Sequence, residues 1–145
     1  MPTLPWTTPN PARPQTRALV MASRLQVASF KDVPRFFLKS LAVWQQVRKA
    51  PGALGASLIA QPLRRTFWTL SAWESREGLN TYVRTEPHYS TMTSLRSTMN
   101  GSTFVFWEVP TEQLPITWAD AKQRVADQRR ADEAAADEAS RRPGA

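Results

Sequence analysis

The stretch FWTLSAWESREGLNTYVRTEPHYSTM, Phe67 to Met92, decides the fold. Phe67 to Trp73 is aromatic-rich and reads as a strand that is apolar on both faces. Glu74 begins a helix: Ser75 can cap it, Glu77 and Gly78 fall in its first turn, and Leu79, Tyr82 and Val83 follow. Pro87 interrupts this helix, because the residue before a proline is pushed out of the α region. Thr85 is expected to cap a second half that has Pro87 in its first turn and runs to about Met99, where Asn100-Gly101 ends it. In that half His88, Met92, Leu95 and Met99 recur at i, i+4, i+7 and i+11. This puts the only histidine of the chain on an apolar face turned toward a sheet.

Upstream, Arg65 to Trp73 forms a hairpin with Ala53 to Ala60 across the turn Gln61-Pro62-Leu63-Arg64. Before it lies an amphipathic helix from Asp32, its N-cap, to about Lys49. Val33, Phe36, Phe37, Leu41, Trp44 and Val47 keep the helical period until Pro51-Gly52 stops it. Ala18 to Val27 alternates, with Leu19, Met21, Ser23, Leu25 and Val27 on one face and Val20, Ala22, Arg24 and Gln26 on the other. Downstream, Phe104 to Val109 is the last strand. The order is β-α-β-β-α-β over residues 17–110: a ferredoxin-like α+β domain with both helices on one face of an antiparallel sheet.

Residues 1–16 carry Pro2, Pro5, Pro9, Pro11 and Pro14 and are expected to be an extended arm that packs through Trp6. Residues 111–145 read as a second arm, Leu114-Pro115-Ile116, and then a helix from Trp118 to about Ser140. That helix has six basic and six acidic residues from Asp120 to Arg142. Its later part, DQRRADEAAADEASRR from Asp127, lacks a wide apolar stripe and is expected to be solvated and fraying, with a disordered end at Pro143-Gly144. Because FVFWEV and TFWTLSAW are apolar on both faces, something must cover the second face of the sheet. Two protomers pressing their sheets together, a homodimer with an α+β barrel core, would do so.

The 145 residues suit one domain with extensions. The absence of cysteine excludes disulfides, thiolate catalysis and cysteine-ligated metal centres. One histidine cannot supply a site of two or three His ligands, although a single axial ligand to haem stays open. No run of about 18 apolar residues is present, so no membrane-spanning helix is expected. The proline-rich start lacks the apolar core of a secretory signal, and a cytoplasmic protein is the expectation. The net charge of +7 comes from scattered arginines, without zinc-finger spacing or an RNA-binding aromatic signature, so no nucleic-acid partner is expected.

A strand ending in TLSAWES followed by a helix with LNTYVRTEPHYSTM resembles the second half of the dimeric α+β barrel superfamily. The likeness is to its antibiotic-biosynthesis-monooxygenase-like and haem-degrading-monooxygenase-like members, and it covers about Ala18 to Val109. In these families a shape xWxSxxAfxxfxxSxxH recurs. The resemblance implies a small enzyme with a pocket between helices and sheet. Haem-degrading members use an asparagine, a tryptophan and a histidine where this chain has Ser23, Tyr82 and Met92, so the likeness to them does not extend to their chemistry. The oxygenases that form quinones without a cofactor place Trp, Tyr and Arg about the pocket, which Trp73, Tyr82 and Arg24 or Arg84 could match here.

Two readings of His88 stand side by side. It is a core histidine satisfied by a backbone carbonyl or a hydroxyl, or it is a general base or ligand in the helix–sheet pocket. Tyr82 is the alternative base. Ser23 shares a face with Met21 and Leu25 and could line a cavity or bond to backbone. Arg24 and Glu108 are expected to pair across the sheet or a dimer interface. The expected activity is monooxygenase-like: a hydrophobic, aromatic or polyketide-like substrate loses a phenolic proton to His88 or Tyr82 and reacts with dioxygen, without cofactor or metal. The alternatives are an isomerase or cyclase using the same pocket, and a non-catalytic binder of haem or a hydrophobic ligand.

Overall fold

The computed structural model describes residues 3–141. The readings made at Pro2 and at Pro143-Gly144 lie outside the described residues. In chain order the elements are β1 (Thr3–Thr7), β2 (Arg17–Val27), α1 (Val33–Val47), β3 (Ala53–Gln61), β4 (Thr66–Trp73), α2 (Arg76–Arg84), α3 (His88–Leu95), β5 (Met99–Pro110) and α4 (Trp118–Arg141). Short 3-10 turns fill several of the joints, at Phe30–Asp32, Pro62–Arg64, Arg96–Thr98 and Thr111–Gln113. The five strands form one antiparallel sheet in the order β1-β3-β4-β2-β5. From β2 to β5 this is the ferredoxin-like arrangement, with α1, α2 and α3 on one face.

Register sets the two faces. Met21 pairs with Ser71, and Ser71 with Ala56; Ser23 pairs with Thr69, and Thr69 with Leu58. These residues face α1 to α3. The neighbouring row, Ala22 with Leu70 and Leu70 with Ser57, faces the other way. The helix-covered face has two separate cores. One holds Leu19, Val47, Ala53, Trp73 and Leu79. The other holds Leu25, Val33, Phe36, Phe67 and Leu95. Between them the sheet floor is Ser23, Thr69 and Ser71, side chains too short to fill the space up to the helices.

The second face is covered from within the chain. Ala18, Val20, Ala22, Leu54, Leu70, Ala72 and Val109 pack with Ile116, Ala121 and Val125, and Trp6, Leu114 and Trp118 lie against them. The charged first half of α4 caps aromatic rings as well: Lys122 Nζ lies 5.3 Å from the centre of the Trp68 ring, and Arg124 lies 4.6 Å from that of Trp107. The later part of the helix is solvated as expected, with residues 129–141 exposed, whereas its first half packs on the sheet. The need for a partner protomer to cover this face is met by the chain's own terminal segments.

Three further local readings change. The N-terminal segment is not only an arm, because Thr3–Thr7 adds an edge strand to β3. The Trp6 ring takes the space that a side chain at Gly55 would occupy. The helix after Pro87 stops at Leu95 and β5 already begins at Met99, since backbone pairing of Met99 with Val27 outcompetes another helical turn. Ser75 does cap α2, its Oγ accepting from Gly78 N at 3.2 Å. Thr85, by contrast, ends α2 rather than starting α3, and its hydroxyl donates back to the Thr81 carbonyl at 2.6 Å.

Candidate active site

The gap between the two cores is a cavity of about 110 Å³. Ser23 and Thr69 on the floor, Tyr82 and His88 on one side, and Met92 and Phe104 line it, with core side chains such as Phe36 and Leu95 closing the rest. Four of the seven residues singled out in the sequence, His88, Tyr82, Ser23 and Met92, thus meet in one place.

His88 opens α3 and is half-buried. Its Nδ1 lies 3.2 Å from the Val83 carbonyl oxygen. A carbonyl can only accept, so Nδ1 carries the proton and Nε2 keeps its lone pair. Burial holds the imidazole below its ordinary pKa, against a smaller opposing contribution from the Val83 carbonyl. The ring is therefore a neutral acceptor at pH 7. One ring nitrogen is thus satisfied by a backbone carbonyl as in a core histidine, while Nε2 keeps its lone pair.

Tyr82 is held on three sides. Its ring centre is 5.0 Å from that of Trp73 and 4.9 Å from that of His88. Its hydroxyl donates to the Val43 carbonyl at 3.1 Å. Burial pushes the phenol well above its ordinary pKa. A hydroxyl that is neutral and already donating cannot take a proton, so of the two candidate bases only His88 has the right form. Trp73 does not line the cavity. It is fully buried behind Tyr82, with its Nε1 donating to Ser71 Oγ at 2.8 Å.

The two arginines are elsewhere. Arg24 projects from the α4 face, donating to Gln26 Oε1 at 2.9 Å and lying 5.8 Å from the centre of the Trp68 ring. The alternation of β2 requires this, since Ser23 already points into the cavity. Arg84 is exposed at the end of α2. Glu108 pairs with Arg17 at 3.7 Å and not with Arg24, because Arg24 and Glu108 face opposite sides of the sheet.

Sequence reasoning missed Gln46. From α1 its Nε2 donates to the carbonyls of Tyr82 at 3.1 Å and Thr85 at 3.2 Å, and its Oε1 accepts from His88 N at 2.8 Å. One side chain thereby satisfies both ends of the break between α2 and α3 and fixes the backbone that carries His88. The signal was a glutamine one residue before Val47, at the border of an apolar stripe. Thr69 and Phe104 were also missed as lining residues. Ser23 Oγ and Thr69 Oγ1 are 2.5 Å apart, so one donates to the other.

A second hollow, a groove of about 800 Å³, runs between α1 and α2 past Lys49, Glu74, Glu77 and Tyr82. His88 does not line it. Among the described residues no group of three or more His, Asp or Glu is placed to hold a metal ion. The cavity beside His88, about 110 Å³, is smaller than the roughly 150 Å³ that accepts a benzene ring. No helix of the described residues is long and apolar enough to cross a membrane.

The antiparallel ferredoxin-like sheet with its helices on one face is shared with solved structures that are named as monooxygenases. A candidate antibiotic biosynthesis monooxygenase from Nitrosomonas europaea superposes with a TM-score of 0.60 at 13% identity, over 73% of this chain and 100% of its own. SnoaB, a cofactor-independent oxygenase from Streptomyces nogalater, gives 0.54 at 13% identity, over 68% of this chain and 98% of its own. A candidate antibiotic biosynthesis monooxygenase from Caulobacter crescentus gives 0.55 at 17% identity, over 67% and 92%. At such identities the likeness is one of fold. The chain itself belongs to the family described as a domain of unknown function, DUF3291, whose model matches residues 21–139. No curated protein matches it in sequence.

Proposed function

We propose that this protein is a small cofactor-independent monooxygenase acting on a hydrophobic aromatic substrate in the cavity at His88. The observation that carries the reading is the His88 ring: Nδ1 is spent on Val83, and Nε2 is left as an acceptor at a cavity floored by Ser23 and Thr69. In this scheme Nε2 takes the substrate's phenolic proton. The phenolate then reduces dioxygen, and a carbon–oxygen bond forms at a ring carbon. Loss of the ring proton and cleavage of the O–O bond leave a quinone, and the departing hydroxide takes the proton held on His88 to give water. All four electrons come from the substrate: one phenol and one dioxygen give one quinone and one water. No step uses haem or a metal.

The Ser23–Thr69 hydroxyl pair is the polar group available to a developing oxyanion, since neither Arg24 nor Arg84 reaches the cavity. With a phenol near pKa 10 and a His88 imidazole below 6.5, the first transfer is uphill by at least roughly 5 kcal/mol. Substrates acidified by a conjugated acyl group should therefore react fastest. An isomerase or cyclase would use the same base without consuming oxygen. A homodimer formed in the cytoplasm stays part of this reading.

The test is oxygen uptake with a panel of acylphenols and hydroquinones, comparing the native protein with His88→Gln. Uptake that requires His88 supports the reading. Uptake equal in the two proteins, or no greater than without protein, refutes it.

A further inference from the structure

The size and closure of the cavity narrow the substrate class, an argument that rests on the monooxygenase reading. The space is about 110 Å³, whereas a cavity of about 150 Å³ is known to take one benzene ring. Most of the wall cannot retreat. Phe36 and Leu95 are 1% and 2% exposed and belong to the core below β2 and β4. Tyr82 is fixed by its bond to Val43 and by two neighbouring rings. The floor is backbone-paired sheet. Phe104 is the most exposed apolar side chain of the lining. It lies on the edge strand, its outer surface is open to solvent, and no other aromatic ring of the described residues stacks on it. Displacing that ring gives room for one aromatic ring and no more. Pushing in a second fused ring would move the buried core of α1 and α3, and overpacking a core is costly.

We infer that the cavity takes monocyclic phenols and rejects fused-ring ones, with the substrate entering past Phe104 and a ring substituent able to meet the Ser23–Thr69 hydroxyls. The polycyclic, polyketide-like substrate that the fold resemblance suggests is thereby excluded from the closed site.

Anaerobic calorimetric titration separates binding from turnover. Phenol and 4-methylphenol should bind saturably to the native protein, and 1-naphthol at least tenfold more weakly despite its greater hydrophobicity. Met92→Ala, at a half-buried cavity position on α3, should recover naphthol binding while retaining phenol. Native circular dichroism checks that the variant is folded. If Met92→Ala does not fold, Phe104→Ala on the exposed edge makes the same comparison. Naphthol binding as tight as phenol in the native protein, or no saturable phenol binding at all, overturns the inference. Saturable phenol binding with no oxygen uptake from any of the acylphenols or hydroquinones would sink the monooxygenase reading alone, and oxygen uptake with fused-ring substrates would sink the size limit alone.

Discussion

Replacing Tyr82 with phenylalanine separates the two bases that the sequence left open. The substitution removes one hydrogen bond, from Tyr82 Oη to the Val43 carbonyl at 3.1 Å. It leaves the ring between Trp73 and His88, at 5.0 and 4.9 Å. One such bond contributes about 1 kcal/mol, which for a chain of this size lowers Tm by about 3 °C. Because the phenol is neutral and its proton is engaged, it supplies nothing to the chemical step. Tyr82→Phe should keep kcat within about threefold of native. His88→Gln should lose about 10²- to 10⁴-fold, the contribution of a positioned general base. Melting curves and initial rates of oxygen uptake on the same preparations give both numbers. A Tyr82→Phe variant with native Tm and rates as low as those of His88→Gln would refute the assignment of roles.

Four other outcomes are expected. The rate should rise with pH through an ionisation below 6.5 and level off above it, because the neutral His88 is the active form; a profile that falls over the same range reverses the assignment. The same depressed pKa means that the unfolded chain binds more protons below pH 6.5. The His88 contribution to stability is then complete above that value and is lost as pH falls toward the lowered folded pKa. It is read as the difference in Tm between native and His88→Gln from pH 7.5 to 5. Gln46→Leu removes three hydrogen bonds at the break between α2 and α3. It should lower kcat by at least tenfold and stability by about 2–3 kcal/mol, while anaerobic phenol binding changes little; unchanged kcat would remove Gln46 from any positioning role. Finally, a Cβ at Gly55 would lie 1.8 Å from Trp6 Cζ2. Gly55→Ala should expel that ring at a cost of about 2 kcal/mol and release β1, visible as faster amide exchange at Thr3–Thr7, and native protection there would contradict the packing.

The sequence alone determined the order of elements from Arg17 to Pro110 and the faces of β2, since alternation and helical period depend only on neighbouring residues. It also determined that His88 and Met92 share a helix face, and that nothing beyond one histidine could supply nitrogen ligation. Only the tertiary structure decided what covers the second face. The contacts of Trp6, Ile116 and Val125 with the sheet span long stretches of chain and leave no local period, so an apolar strand looked like a demand for a partner. Only the fold shows which carbonyl each candidate base meets: Val83 for one His88 ring nitrogen, Val43 for the Tyr82 hydroxyl. The cavity has the same origin. Ser23 and Thr69 are ordinary strand residues in the sequence. They become a floor because register sets them side by side, beneath helices whose large side chains pack to either side of them.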